Sequence, residues 1–241
     1  MNIVHEDSDL LVVNKPADLV CHPTKTDALS SLIGRLRLHL GENSAPQFIN
    51  RLDRETSGLV VIAKRAEAAR ELRRDWEGRR VHKEYGAIVH GHPAGEHAMI
   101  DAPLGKDEAS PVAIKDTVRA DGAAAQTEYW VERRFQRPEG DFALLRVVPR
   151  TGRKHQIRIH LASIGHPIVG DKIYGGDERL YLEFIAGQLT DTRRGQLLLA
   201  NQALHAGGLR FPWRGAEAVF SCEPEAWFTS FLDETAPLVR F

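Results

Sequence analysis

Cysteine is scarce in this chain. Cys21 and Cys222 are the two among 241 residues, and two isolated thiols fit a reducing cytosol better than a disulfide scaffold. Long apolar runs are missing too. Stretches such as Leu59 to Ala63 fall far short of the roughly 20 residues that span a bilayer, so no membrane association is expected. The start, MNIVHEDSDLL, is acidic and has no basic region leading into an apolar core, so no signal peptide is visible in it. No CxxC or HExxH spacing occurs, so no metal site is expected. There is no internal repeat and no low-complexity linker. An excess of either charge is also lacking, the formal net charge being −1.

What is present reads as globular. Hydrophobic residues make up 42% and charged residues 27%, a balance that favours a globular fold over disorder. The length suits one large domain or two small ones, and a single domain over residues 1–241 is expected. Charge is unevenly placed. Arg146 to Arg158 (RVVPRTGRKHQIR) holds five cations and no acid, and Lys64 to Lys83 holds eight cations against four acids, a local balance of +4. Such patches on a neutral chain can meet a polyanion, although a solvated charged face would look the same for the second stretch.

Hydrophobic periodicity alternates between strand and helix. Leu10 to Val13 reads as a strand stopped at Asn14-Lys15-Pro16. Asp27 to Leu40 carries leucines and an isoleucine at helical spacing and ends at Gly41. Leu59 to Ala63 reads as a buried strand, and Ala66, Ala69, Leu72 and Trp76 mark a helix ending at Gly78. From Val81 to Gly91 the pattern alternates, placing Val81, Lys83, Tyr85, Ala87 and Val89 on one strand face. Thr127 to Phe135 and Phe142 to Val148 read as a strand pair around QRPEGD. Ile157, Leu161 and Ile164 then predict a helix stopped by Gly165. The class is α+β, with strands dominating and helices inserted between them.

Three places invite chemistry. Asp53, in INRLDRETSGLVVIAKR, stands between Arg51 and Arg54. It reads either as an ordinary ion-pair partner or as a carboxylate held for reaction, with Thr56-Ser57-Gly58 forming a tight turn into the next strand. In PRTGRKHQIRIHLASIGHP, Thr151 reads as an N-cap, which puts Arg153, Lys154 and His155 in the first helical turn. Cations there oppose the helix dipole at about 0.3–1 kcal/mol each, so a site for phosphate explains them better than packing does. His155 and His160 are five apart, roughly 140° around a helix, and do not share a face; His160 reads as a packed, hydrogen-bonded residue. Tyr85 reads as a core tyrosine or as a flat ring for a stacked base.

Taken together, five segments resemble the RluA-type pseudouridine synthases. RLDRETSGLVVIAK is similar to that family's catalytic segment and KEYGAIVHG to its tyrosine strand. TGRKHQIRIHLASIGHPIVGDKIYG, the opening EDSDLLVVNKPADLVCHP and the closing LHAGGLRF follow the family pattern in order. The resemblance runs from residue 3 to about residue 211. It implies a mixed, largely antiparallel sheet with flanking helices and a central RNA-binding cleft. It also implies isomerisation of uridine to pseudouridine in ribosomal or transfer RNA, with no cofactor and no metal, in the cytoplasm. By matched position, Asp53 is the catalytic aspartate, Tyr85 the residue that stacks on the base, and Arg158 the arginine that pairs with the aspartate. Ile157 is the apolar neighbour of the base, and Arg51 helps displace the uridine. Two positions depart from the pattern: Asn50 replaces the usual His and Asp18 the usual Gly. The chain is expected to start directly at the catalytic domain, without the small N-terminal RNA-binding domain that many relatives carry.

The chemistry implied needs few groups. Breaking a glycosidic bond develops positive charge on the ribose, which a carboxylate beneath the sugar stabilises or traps. Reattachment through carbon five needs no second carboxylate to manage water, and apolar neighbours such as Leu52 and Ile157 suit its exclusion. Attack on the anomeric carbon and removal of the proton at carbon two both stay open. Unstacking the uridine costs a few kcal/mol, which phosphate contacts from Arg150, Arg153 and Lys154 would offset in a salt-dependent way.

Overall fold

The computed structural model describes residues 2–23, 30–41 and 44–234. In chain order the elements are β1 (Asn2–Glu6), β2 (Leu10–Lys15), α1 (Leu32–Leu40), β3 (Gln47–Phe48), β4 (Ser57–Ala63), α2 (Ala66–Glu77), β5 (His82–His90), β6 (His97–Asp101), β7 (Leu104–Lys106), β8 (Asp116–Val118), β9 (Gln126–Arg137), β10 (Gly140–Pro149), α3 (Gln156–Ser163), α4 (Arg179–Ile185), α5 (Asp191–Leu197), β11 (Leu204–Trp213), β12 (Ala216–Ser221) and α6 (Ala226–Leu232). They form two compact units. The first is Met1–Glu84 with His205–Glu225, and the second is Tyr85–Leu204 with Ala226–Phe241. The chain passes from the first to the second inside β5, returns at the start of β11 and crosses again after Glu225.

In the first unit β4 is central. β2 runs antiparallel along one edge, from Leu10↔Ala63 to Lys15↔Gly58. On the other side β11 pairs in parallel at His205↔Ser57 and Ala206↔Gly58, and β3 pairs antiparallel at Gln47↔Ala63 and Phe48↔Ile62. These neighbours satisfy the β4 backbone on both edges, and all seven residues of SGLVVIA are buried, as in a strand covered on both faces. α2 lays Ala68, Ala69 and Leu72 against Leu10, Val12, Leu59, Val61, Leu209 and Phe211, and its arginines face outward. Leu72→Ala there would cost about 2–5 kcal/mol. Gly78 ends α2 as predicted. α1 also ends as predicted, at Gly41 with φ +93°, but it starts at Leu32, capped by the Ser31 hydroxyl, which accepts from Gly34 N–H at 3.3 Å. Residues 27–29 of the predicted helix lie outside the described residues.

The second unit carries the antiparallel order β5-β10-β9-β6 and a separate pair, β7 with β8. The β9–β10 hairpin turns on Pro138 and Glu139, so the strands run further into QRPEGD than the sequence pattern placed them. A bulge at Leu144/Leu145 breaks the register. One expectation needs correction: the alternation in β5 fails past Gly86, because Ala87, Ile88 and Val89 are all fully buried. Both faces of that half-strand are covered. α6 contributes Phe228 and Phe231 to the core, Phe231 meeting Phe142 edge-on at 5.1 Å. Among the described residues no helix is long and apolar enough to cross a membrane.

Candidate active site

Asp53 opens a tight turn. Its carbonyl accepts from Thr56 N–H at 3.2 Å, closing the four residues Asp53 to Thr56 just before β4. Asp suits this first turn position. Upstream, the ladder of β3 against β4 continues through Ile49, whose N–H donates to the Val61 carbonyl at 2.9 Å. It is then extended by a side chain. The Asn50 amide donates to Leu59 O at 3.1 Å and accepts from Val61 N–H at 2.8 Å. Asn50, the departure from the family's His, thus does the work of a backbone residue in a strand, because a carboxamide carries a donor and an acceptor at peptide spacing.

A fully buried lysine closes the turn from below. Lys15 Nζ donates to the carbonyls of Pro16, Leu19 and Arg54 at 2.9, 2.9 and 3.0 Å. Burial pushes its ammonium down to about 8, and the charges of Cys21, Asp53, Glu225 and Asp18 hold it partly up. Arg54 reaches away from the turn, its Nε donating to Asp18 Oδ1 at 2.6 Å. Asp18 adopts φ +63°, so the aspartate replacing the usual glycine tolerates the left-handed conformation, as such residues do. Arg51 is exposed and makes no hydrogen bond or ion pair with any described residue. Leu52 is buried.

The turn's exit is fixed by Ser57 and Gly58. Ser57 Oγ lies 2.9 Å from His205 Nδ1, and His205 Nε2 lies 3.0 Å from the Cys222 carbonyl. A carbonyl only accepts, so the proton sits on Nε2 and the serine donates to Nδ1. Both side chains are buried, which makes this pair a lock between β4 and β11 rather than a nucleophile facing substrate. Gly58 has φ +118°, and a Cβ there would come within 2.3 Å of Ala206 O.

In the second unit, Tyr85 lies opposite Val147 on β10, half-buried and packed against the core. Ile157 and Arg158, in the first turn of α3, are both buried. Arg158 makes a two-pronged contact with Asp171, Nε to Oδ2 at 2.7 Å and Nη2 to Oδ1 at 2.9 Å. Asp171 Oδ1 also accepts from the N–H groups of Ile173 and Tyr174 at 2.9 and 3.0 Å. Burial pushes the Asp171 carboxyl up, but Arg158 and these N–H donors outweigh it and the net direction is down. The Arg158 guanidinium also stands over the Tyr174 ring at 5.0 Å. Tyr174 Oη accepts from Asp116 N–H at 3.2 Å and lies 2.9 Å from His155 Nδ1.

The basic helix start is corrected. α3 begins at Gln156, and its N-cap is His155, held at φ +54°; Thr151 is not a cap. Thr151 Oγ1 donates to Gln156 Oε1 at 2.6 Å and accepts from Gln126 N–H at 3.0 Å. Gln156 also accepts from Arg153 N–H at 3.0 Å and donates to Gln126 O and Thr127 Oγ1, each at 2.9 Å. A glutamine folded back over its own turn therefore does what a capping threonine was expected to do. Arg153, Lys154 and His155 precede the helix instead of forming its first turn. Arg150 is paired with Glu128, Lys154 with Asp116 at 2.9 Å, and Arg153 Nε donates to Ala124 O at 3.2 Å. His160 is fully buried between Thr127 Oγ1 at 2.8 Å and the Ala102 carbonyl at 2.9 Å, the packed role expected for it.

Three partners were missed in the residue-by-residue reading: Lys15, Asp171 and Tyr174. The local pattern Asp171-Lys172-Ile173-Tyr174 after Gly170 carried a signal, since an aspartate accepting from N–H groups two and three residues on is a common turn. Nothing local marked Lys15 as buried.

Comparison with known proteins places this geometry. The family described as RNA pseudouridylate synthase matches residues 9–163, and the chain belongs to that family, in its RluA-type branch. It is 41% identical over 182 residues to an uncharacterized RNA pseudouridine synthase of Aquifex aeolicus, covering 73% of this chain and 56% of that protein. It is 37% identical over 216 residues to ribosomal large subunit pseudouridine synthase D of Pasteurella multocida, covering 87% and 62%. The chain thus spans about three fifths of the length of these relatives. Among solved structures, human RNA pseudouridylate synthase domain containing 4 superposes with a TM-score of 0.74 at 26% identity, over 97% of this chain and 92% of that one.

Proposed function

We propose that this chain is a catalytic domain that converts uridine in ribosomal or transfer RNA to pseudouridine in the cytoplasm, with no cofactor or metal. Asp53 acts on the ribose, either at the anomeric carbon or at the proton on carbon two. Tyr85 stacks on the uracil, Ile157 keeps its surroundings apolar, and Arg158 orients the aspartate. Arg51, exposed and without a hydrogen bond or ion pair among the described residues, helps draw the uridine from its stack. Arg150, Arg153 and Lys154 meet backbone phosphates, exchanging their present acidic and carbonyl partners for RNA.

The observation that carries this reading is the fixation of Asp53. Its turn is held by Asn50 and Lys15 and leads into β4 at a glycine that no other residue can replace. A carboxylate that only balanced a surface charge would need none of this. Isomerisation without water needs one carboxylate at a defined position.

The test is tritium release from RNA carrying [5-³H]uridine, with large-subunit ribosomal RNA and transfer RNA transcripts as separate substrates. The parent protein should release tritium from one of them, and Asp53→Asn and Asp53→Ala should abolish release while retaining the parent's circular dichroism. Equal release by both variants would sink the assignment. RNA binding with no release on either substrate would make the chain a binding module instead, and free uracil would make it a glycosidase.

A further inference from the structure

Lysine usage within the described residues is uneven in one place. Lys15, Lys106 and Lys172 donate to carbonyls, and Lys64, Lys115 and Lys154 meet carboxylates. Lys83 is the one described lysine whose side-chain ammonium has no hydrogen bond, ion pair or aromatic partner. It is also not a solvated surface residue. It is half-buried, and burial pushes its ammonium below the ordinary lysine range with no charge opposing the shift. A cation kept partly from water without a partner is costly, and a chain that pairs six of seven described lysines leaves this one open.

Its place gives the vacancy a direction. Lys83 and Tyr85 are two residues apart on β5. Side chains two apart in a strand leave the same face, roughly 6.6 Å from each other along it. Resting on the reading that Tyr85 receives the target uracil, we propose that Lys83 binds a backbone phosphate of the RNA strand beside the flipped uridine. A phosphodiester supplies the missing anion, and a lysine suits it as a point charge. Arg150 and Lys154 must give up acidic partners to reach RNA, whereas Lys83 gives up nothing. This single contact therefore draws affinity from a cost already present in the free protein.

The test compares the parent with Lys83→Met and Lys83→Arg. Binding of an unmodified large-subunit ribosomal RNA transcript is measured across a salt series, alongside thermal unfolding and tritium release. Lys83→Met should raise Kd about tenfold and reduce the slope of log K against log salt by about 0.7–0.9, the share of one phosphate. Its Tm should stay level or rise, because an unpaired half-buried cation has gone. The kinetic loss should fall on KM, and Lys83→Arg should keep the parent slope. An unchanged Kd and slope in Lys83→Met would overturn the inference, as would a lowered Tm in both variants with the slope intact, since that assigns Lys83 to packing. A parent that releases no tritium would instead remove the functional reading, so the two failures are separable.

Discussion

Asp171 holds Arg158 through two parallel hydrogen bonds, inside a site where the aspartate carboxyl is fully buried and the guanidinium nearly so. Removing one member of a buried pair costs about 3–5 kcal/mol, so Asp171→Asn should lower the denaturant midpoint by a corresponding amount. The sign of the pH effect follows from the depressed Asp171 carboxyl. Its contribution is complete above the unfolded value of about 4 and is lost as the pH falls through the lower folded value. Urea titrations between pH 2 and 7 should show the parent losing stability on acidification more steeply than Asp171→Asn. Tritium release by the variant should fall as well, through Arg158. Parallel stability curves would show that the pair carries no such linkage.

Lys15 shifts stability in the same direction as Asp171, but in an alkaline window. Its folded value, about 8, lies below the unfolded value of about 10.4. Between these limits the unfolded chain binds the extra proton, so this group adds stability as the pH rises and loses it as the pH falls through about 8. Lys15→Met should remove that dependence. The variant should be less stable than the parent at pH 7, where three buried carbonyls lose their donor at about 1–3 kcal/mol each. The gap should widen by about 3 kcal/mol by pH 10.5. Guanidinium titrations at pH 7, 9 and 10.5 read this directly, and a pH-independent gap would contradict it.

At Gly58 the prediction is categorical. A methyl group there meets the Ala206 backbone, and the φ of +118° is closed to alanine. Gly58→Ala should abolish soluble folded protein or lower Tm by more than 10 °C, in contrast to Gly195→Ala in α5, where the backbone is not in the left-handed region and the added Cβ meets nothing.

Asn50 separates geometry from residue identity. Asn50→Ala strands the Val61 N–H and the Leu59 carbonyl and should cost about 1–3 kcal/mol, with a drop in kcat larger than in RNA affinity because the Asp53 turn loosens. Asn50→Asp keeps the acceptor and loses the donor, and should fall between the parent and Asn50→Ala in both stability and rate.

Much of this was legible in the letters. The apolar run Leu59 to Ala63 and the glycines Gly41, Gly78 and Gly165 mark element ends through local chemistry, and the structure places them accordingly. The fold class followed from the alternation of strand and helix patterns and from the motifs. The start of α3 was misread because Thr151 satisfies every local rule for a cap, while the group that actually folds over the turn, Gln156, is recruited by Gln126 and Thr127 from another strand. The acidic partners of Arg158 and Arg150 on distant segments were out of reach for the same reason. Asp171 and Glu128 lie 13 and 22 residues from the cations they meet, and no spacing rule reaches that far. Lys15 was hidden because lysine is rarely interior.

The Asp53 turn has a consequence for its substrate. Side chains that act as strand rungs, a buried ammonium under the loop and a glycine wedged on a neighbouring backbone make the carboxylate's support part of the core rather than a mobile flap. Under the proposed activity, such a support cannot reach out for a uridine. The bending falls on the nucleic acid, which favours targets whose bases are already poorly stacked, in loops and bulges. Target choice would then be set as much by how easily an RNA deforms as by the letters around its uridine.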